Sequence, residues 1–266
     1  MKEKDDARSI TRRDFVKIGV AGTAAASLGL SGLGSLLHAQ SMPTYRTLGR
    51  TGLKVTTLSF GAMLTPEWEV IRAGLDRGIN YVDTARRYLG GRSESVVGRA
   101  IKGIRDKVYV ATKTLPDSSR KAEFIKDVET SLTQLQTDYI DVIQVHSLTD
   151  RSKAFNPEVR EAYVKLKEQG KVRFFGVTTH TNQAEVINAI VDDPDRFFDT
   201  VLVQYNFKSD PSVKQAIGRA AKAGVGIIAM KTQAGGYQTA ELGSMSPHQA
   251  ALKWVLQDRN VTNAIP

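Results

Sequence analysis

The sequence predicts an α/β chain folded as a (β/α)8 TIM barrel, preceded by a β-hairpin, and three observations carry that prediction. After Met42, eight short β-branched apolar runs alternate with amphipathic helical stretches, which demands parallel pairing with right-handed crossovers and favours closure over an open sheet. No segment in that stretch reads as a linker or as low-complexity sequence, so one domain over residues 42–266 suffices. No G-x-G-x-x-G follows the first run, where a doubly wound dinucleotide-binding sheet would need a glycine-rich turn.

Taken in order, Tyr45 to Val55 carries Gly49-Arg50-Thr51-Gly52 between short extended stretches. It reads as a hairpin able to plug the N-terminal end of a barrel. The strands are expected at Thr56–Ala62, Tyr81–Ala85, Val108–Thr114, Tyr139–Ser147, Val172–Thr179, Thr200–Asn206, Val225–Lys231 and Val261–Pro266. Between them lie helical patterns such as Phe124, Val128, Leu132 and Leu135, whose spacing puts them on one face. Gly78, Gly170 and Gly224 stand at the ends of such stretches, just before strands, where a left-handed helix cap is expected.

Residues 1–41 fall outside this pattern. Arg12-Arg13 precedes a weakly apolar, small-residue run from Ile18 to Leu37, an arrangement that resembles a bacterial twin-arginine export signal. Five glycines in the run, from Gly19 to Gly34, lower its helix propensity, so a cleaved signal with no stable membrane span afterwards is expected rather than a permanent anchor. Cleavage near Ala39 leaves a short spacer, although Leu37 occupies the place where a small residue is usual. The twin-arginine machinery exports folded proteins, so the reading implies a periplasmic protein that takes up any cofactor before export.

Composition narrows the chemistry. The chain has no cysteine, which excludes disulfides, thiolate metal sites, iron–sulfur clusters and a cysteine nucleophile. Its net charge of +9 is spread without a Lys/Arg block, so no nucleic-acid stripe is expected, while anionic ligands gain some attraction. No metal-ligand cluster and no paired-carboxylate motif stands out, which weighs against a barrel hydrolase or lyase.

Active sites of such barrels gather at the C-terminal ends of the strands. Asp83 ends the second expected strand, Tyr88 follows five residues later, Lys113 ends the third and His146 ends the fourth. Neighbouring strands lie about 5 Å apart, so these side chains can meet at one mouth. Singly they read as an ordinary ion pair, a loop aromatic and an interior histidine; together they make the parts of a carbonyl reductase. Hydride delivery to a carbonyl carbon builds negative charge on oxygen, which a nearby acid must relieve. Tyr88 is the candidate acid, Lys113 an ammonium that would favour its phenolate, Asp83 the partner that fixes Lys113, and His146 the group that orients the carbonyl oxygen.

On these residues the chain resembles the aldo-keto reductases. The resemblance covers 44–266: Tyr-Arg-Thr-Leu-Gly-Arg-Thr-Gly-Leu from Tyr45, Phe60-Gly61-Ala62-Met63, Gly78-Ile79-Asn80-Tyr81-Val82-Asp83-Thr84-Ala85 with Tyr88, Gly91-Arg92-Ser93-Glu94 with Gly98, Ala111-Thr112-Lys113, Gln144-Val145-His146, and Gly170-Lys171-Val172-Arg173 with Gly176-Val177. It implies reduction of aldehydes or ketones to alcohols by NADP(H) in preference to NAD(H), with Asp83, Tyr88, Lys113 and His146 as the catalytic tetrad. It also implies cofactor contacts from Gly61, Ala62, Met63, Asp83, Thr178, Gln204, Met230, Lys231, Thr232 and Gln233, no metal, and a small carbonyl compound as substrate. Thr178-Thr179 replaces the family's Ser-Asn pair, and Met230 stands where a tyrosine usually stacks on the nicotinamide. Lys231 suits a phosphate or a substrate carboxylate, and Thr232 to Gly236 would run along the pyrophosphate. The sequence stops at Pro266 with the eighth strand, so the barrel is expected without its final helix, as in an incomplete sequence of a longer reductase. The alternative expectations are a non-catalytic nicotinamide-binding barrel and an inactive fragment.

Overall fold

The computed structural model describes residues 43–115, 117–234 and 245–266, with the side chains of 153 and 154 left aside. The twin-arginine pair, the apolar run after it and the expected cleavage point lie outside the described residues, as do Gly235 and Gly236.

The hairpin forms as expected. Strands β1 (Tyr45–Thr47) and β2 (Lys54–Thr56) pair antiparallel, with Tyr45 opposite Thr56. The barrel strands are β3 (Phe60–Gly61), β4 (Tyr81–Asp83), β5 (Tyr109–Lys113), β6 (Ile140–Val145), β7 (Val172–Thr179), β8 (Thr200–Gln204), β9 (Gly226–Met230) and β10 (Asn263–Ile265). They form one eight-stranded sheet in sequence order, every neighbouring pair parallel. The edges meet, because Ser59 N donates to Ala264 O at 3.0 Å and Ala264 N donates to Thr57 O at 2.9 Å. The run expected over Thr56–Ala62 therefore divides: Thr56 belongs to the hairpin, 57–59 closes the barrel against β10, and only Phe60–Gly61 pairs with β4.

Helices α1 (Trp68–Asp76), α2 (Ser93–Ile101), α3 (Lys121–Leu135), the short α4 (Arg151–Ala154), α5 (Pro157–Glu168), α6 (Gln183–Val191), α7 (Pro211–Lys222) and α8 (Pro247–Gln257) alternate with the strands. Three of them start from the same device: Asn156, Asp210 and Ser246 each accept a backbone N–H of the first turn, and each is followed by proline. The side chain satisfies an orphan donor and the proline ring presets the helical φ. Gly78, Gly170 and Gly224 adopt positive φ (97°, 71° and 82°) where the chain leaves a helix for a strand.

The two faces of each strand bury different things. Val82, Val110, Ile143, Val201 and Ile227 pack outward with helix residues such as Phe124, Val128, Leu132 and Leu135 in one cluster. Residues one position away, Tyr81, Ala111, Val142, Leu202 and Ile228, form a second cluster with Leu48, Leu53 and Val55 of the hairpin. The period of two along each strand thus separates a helix-facing shell from the barrel interior, and the hairpin closes the N-terminal end of that interior. Gly49 approaches so closely that a Cβ there would fall 2.5 Å from Gly224 O.

Candidate active site

Continuing the inward parity toward the C-terminal ends of the strands leads from Tyr81 to Asp83, from Ala111 to Lys113, from Val142 to Gln144 and His146, and from Ile228 to Met230. Register brings them level: Asp83 lies opposite Ala111, Lys113 opposite Gln144, and Met230 opposite both Gln204 and Ile265. Lys113 Nζ donates to Asp83 Oδ1 at 2.5 Å and to Thr84 O at 2.8 Å. Gln144 Nε2 donates to the other Asp83 oxygen at 3.4 Å. Asp83 and Lys113 are 4% and 1% exposed, so each is kept charged or hydrogen-bonded by the other rather than by water. Burial pushes the Asp83 carboxyl up, and the Lys113 ammonium opposes that shift.

Tyr88 opens the short 3-10 turn Tyr88–Gly91. Lys113 Nζ lies 4.8 Å from the centre of its ring, and the His146 ring meets it edge-on at 6.0 Å between centroids. The expected tetrad is thus one cluster. Lys113 does favour the Tyr88 phenolate, as expected, but burial outweighs it and the Tyr88 pKa is raised. A phenol in this setting stays protonated at neutral pH. His146 is lowered to about 4, first by burial and then by Lys113, His180 and Arg87, so its imidazole is neutral at neutral pH.

The loop bearing Tyr88 is tied down by residues that sequence reasoning left without a role. Arg86 Nη1 donates to Glu94 Oε2 at 3.1 Å, Arg86 Nε lies 3.8 Å from Asp127 Oδ1, and Arg86 N donates to Lys113 O at 3.2 Å. Glu94 is fully buried, and its second oxygen accepts from Thr112 Oγ1 at 2.6 Å. Thr84 and Ser93 share a hydroxyl contact at 2.8 Å, and Ser93 Oγ donates to Ala62 O at 2.9 Å. Ser93-Glu94 was visible only as part of a resemblance; its job, holding α2 against the end of β5, requires knowing which strands are neighbours. Gln144 could have been found from parity alone, two residues before His146.

A cleft of about 290 Å³ opens at this mouth, lined by Gly61, Met63, Asp83, Tyr88, His146, His180, Met230, Lys231 and the terminal Ile265-Pro266, with Leu64 at its edge. Of the expected cofactor residues, Gly61, Met63, Asp83, Met230 and Lys231 are gathered here. Ala62 instead packs in the helix-facing shell. Thr178 is buried, its hydroxyl accepting from Ser147 N at 2.7 Å. Thr179 is also buried and donates to Thr181 O at 2.8 Å. Gln204 stands behind His180 as its side-chain hydrogen-bond partner. Thr232 is buried beside Lys231 with its hydroxyl unpartnered among the described residues, and Gln233 contacts the His248 ring at 3.0 Å. His180, Leu64, Ile265 and Pro266 line the cleft although sequence reasoning gave them no role there, and of these His180 is the one with a titratable side chain.

Residues 65–242 match the family model described as the Aldo/keto reductase family. The chain belongs to that family. It is 36% identical over 168 residues to the aldo-keto reductase YhdN of Bacillus subtilis, covering 55% of this chain and 50% of that protein. It is 39% identical over 112 residues to the methylglyoxal reductase YeaE of Escherichia coli, covering 42% of this chain and 38% of that one. The chain therefore spans about half the length, or less, of these curated relatives. Among solved structures, an aldo-keto reductase from Klebsiella pneumoniae in complex with NADP and acetate superposes with a TM-score of 0.71 at 28% identity, covering 84% of each chain.

Aldo-keto reductase membership makes a nicotinamide dinucleotide the cofactor to test against the geometry. The residues present fit its nicotinamide end. Gly61, Met230 and Ile265 give the cleft an apolar wall without a bulky side chain at Gly61, where a Cβ would collide with Ile265. Lys231 adds a polar group to the same lining, and the next residue, Thr232, has a buried hydroxyl without a partner among the described residues.

Proposed function

We propose that the chain is an NADP(H)-dependent reductase of aldehydes or ketones, with Tyr88 as proton donor. The observation that carries this reading is that Asp83, Tyr88 and His146 line one cleft, with the buried Lys113 locked to Asp83 and lying against the Tyr88 ring. When bound, the reduced nicotinamide supplies a hydride and is left oxidised. Gly61, Met63, Met230, Lys231 and Thr232 would hold it, and Asp83 would flank it.

The residues of the chain do the rest. Neutral His146 holds the carbonyl oxygen by a hydrogen bond beside the Tyr88 ring. As the carbon gains the hydride, the C=O π electrons move to oxygen, Tyr88 gives its proton there, and the alcohol forms. The phenolate left on Tyr88 is stabilised by the Lys113 ammonium until solvent returns a proton. A raised resting pKa suits this cycle, since it keeps the donor loaded, and the ammonium matters most when the phenolate appears. Asp83 fixes the ammonium, and Gln144 fixes Asp83.

The test is NADPH-dependent reduction of a small-aldehyde panel by the full chain and by Tyr88→Phe. General-acid catalysis predicts a loss of about 10²- to 10⁴-fold in kcat, with NADPH binding by fluorescence retained. Turnover that survives Tyr88→Phe overturns the assignment. Export through the twin-arginine machinery to the periplasm belongs to the same reading. It is supported by Arg12-Arg13 and the run after it, and would be lost in fractionated cells expressing Arg12→Lys with Arg13→Lys.

A further inference from the structure

We propose that Thr200, inside the barrel, is a positioning residue for proton donation, acting through the Gln144 amide on the Asp83–Lys113 pair. The inference rests on the reductase reading and extends it from the mouth to the row of side chains that supports Lys113.

Lys113, Gln144, Gly176, Thr200 and Gly226 are register partners in turn across β5, β6, β7, β8 and β9. Two positions away on the same strands, Ala111, Val142, Phe174, Leu202 and Ile228 belong to the interior cluster, so this row faces inward as well. Two of its members are glycines, and neighbouring side chains occupy their space. At Gly226 a Cβ would meet Leu48 of the hairpin at 2.7 Å, which makes that side apolar. At Gly176 it would fall 2.2 Å from Thr200 Oγ1 and 3.3 Å from Gln144 Cγ. The side chains of Thr200 and Gln144 thus close over one bare position, from strands that are not adjacent.

Both residues are fully buried. Gln144 Nε2 faces Asp83 Oδ2, and the reversed amide would aim oxygen at a carboxylate, so charge fixes its orientation and leaves Oε1 needing a donor. Gln144 Oε1 and Thr200 Oγ1 are both without a partner among the described residues. Leaving both unmet in an apolar interior is costly, whereas a hydroxyl can donate to an amide oxygen, directly or across one buried water. That link locks the amide, and the amide acts on Asp83: its hydrogen bond favours the carboxylate against burial. The charged and titratable groups facing Asp83 are Lys113 from β5, Tyr88 from the loop after β4 and Tyr81 of its own strand, with His146 of β6 facing Lys113. With the amide unlocked, Asp83 takes up a proton at higher pH, and Lys113 loses the carboxylate that holds it against the Tyr88 ring.

The test compares the native full chain with Thr200→Val, Thr200→Ser, Gln144→Met and the double variant Thr200→Val with Gln144→Met. Two quantities are measured: the pH profile of small-aldehyde reduction with NADPH, and the Tyr88 phenol titrated by absorbance without cofactor, as the difference from the matching Tyr88→Phe chain. In Thr200→Val the acid limb of kcat should move up by about 0.5–1 pH unit. Its kcat should fall about two- to tenfold with KM nearly unchanged, and the phenol should titrate higher because Lys113 is held less firmly. Thr200→Ser should restore all three, and Thr200→Val should add nothing in the Gln144→Met background. A Thr200→Val chain that is more stable, with profile and titration unchanged, overturns the proposal and makes the hydroxyl a mere buried orphan. An equal shift in the Gln144→Met background overturns it too. If no aldehyde is turned over but the phenol titration shifts in a Gln144-dependent way, the reductase reading fails and the link from Thr200 to Asp83 stands. Should Thr200→Val not fold, Thr200→Ala carries the same comparison.

Discussion

At the N-terminal end of the barrel the left-handed backbone positions are mostly glycines: Gly49 and Gly52 in the hairpin, Gly78, Gly103, Gly170 and Gly224 where the chain turns back into strands. At the C-terminal mouth, Leu89, Ser147, Asn182, Lys231 and Ala234 occupy the same conformation. Three of these directly follow residues of the cleft, namely Tyr88, His146 and Met230. Gln136 and Arg196 are exceptions at the first end, and Gly90 and Gly91 at the second. One end minimises strain and is filled by apolar packing of Leu48, Leu53 and Val55. The other keeps side chains at strained positions and buries charge. The difference is the one expected when one end carries stability and the other carries chemistry.

The largest effect expected from this comparison is at the packed end. Gly49→Ala places a methyl group against Gly224 O and Gly226 N while keeping a positive φ, so overpacking and backbone strain add. A loss of about 3–5 kcal/mol in urea unfolding is expected, with the cleft chemistry of the surviving folded fraction unaltered. Full tolerance of the methyl group would mean that the hairpin is not a tight plug.

At the mouth, acid should do what mutation does at the plug. The folded His146 pKa lies at about 4, below the ordinary 6.5, so the folded chain favours the neutral ring. Its contribution is complete above pH 6.5, falls as the unfolded chain takes up protons, and is gone once pH has dropped through about 4. At 1.36 kcal/mol per pKa unit this comes to about 2–3 kcal/mol after allowing for the partly exposed ring. Unfolding measured from pH 7.5 to 4 should therefore show the gap between native chain and His146→Gln shrinking toward acid. A constant gap would remove the buried neutral imidazole from the account.

Next comes the frame under the mouth. Glu94→Gln removes the charge that Arg86 and Thr112 share, leaving the partly exposed Arg86 guanidinium to Asp127 at 3.8 Å. A stability loss of about 2 kcal/mol is expected, since the neutral amide still hydrogen-bonds and the arginine retains some solvent. If Glu94 positions the Tyr88 loop, kcat falls more than KM rises.

Much of this contrast could be read from residue order. The β-branched apolar runs marked the strands, the spacing of Phe124, Val128, Leu132 and Leu135 gave a helix face that is indeed buried, and Gly78, Gly170 and Gly224 marked the turns. Asp83, Tyr88, Lys113 and His146 stood out because each is a chemistry-bearing residue at or just beyond a strand end. The closing role of 57–59 was hidden, because it depends on a partner more than two hundred residues away in β10. The direction of the Tyr88 shift was hidden too: a neighbouring charge can be guessed from spacing, but how much water the fold removes cannot.

The smallest effect separates strain that is merely tolerated from strain that is used. Leu89 follows Tyr88 with φ of 52°, so Leu89→Gly relieves about 1–2 kcal/mol of backbone cost and returns part of it as lost chain entropy in the unfolded state. A change within about 1 kcal/mol, in the stabilising direction, is expected from thermal unfolding. If the leucine only bridges the turn, aldehyde turnover should follow stability and hold steady. If the constrained backbone aims the Tyr88 hydroxyl, kcat should drop severalfold although the protein is more stable, and that opposite movement of the two quantities would show that the mouth spends stability on geometry.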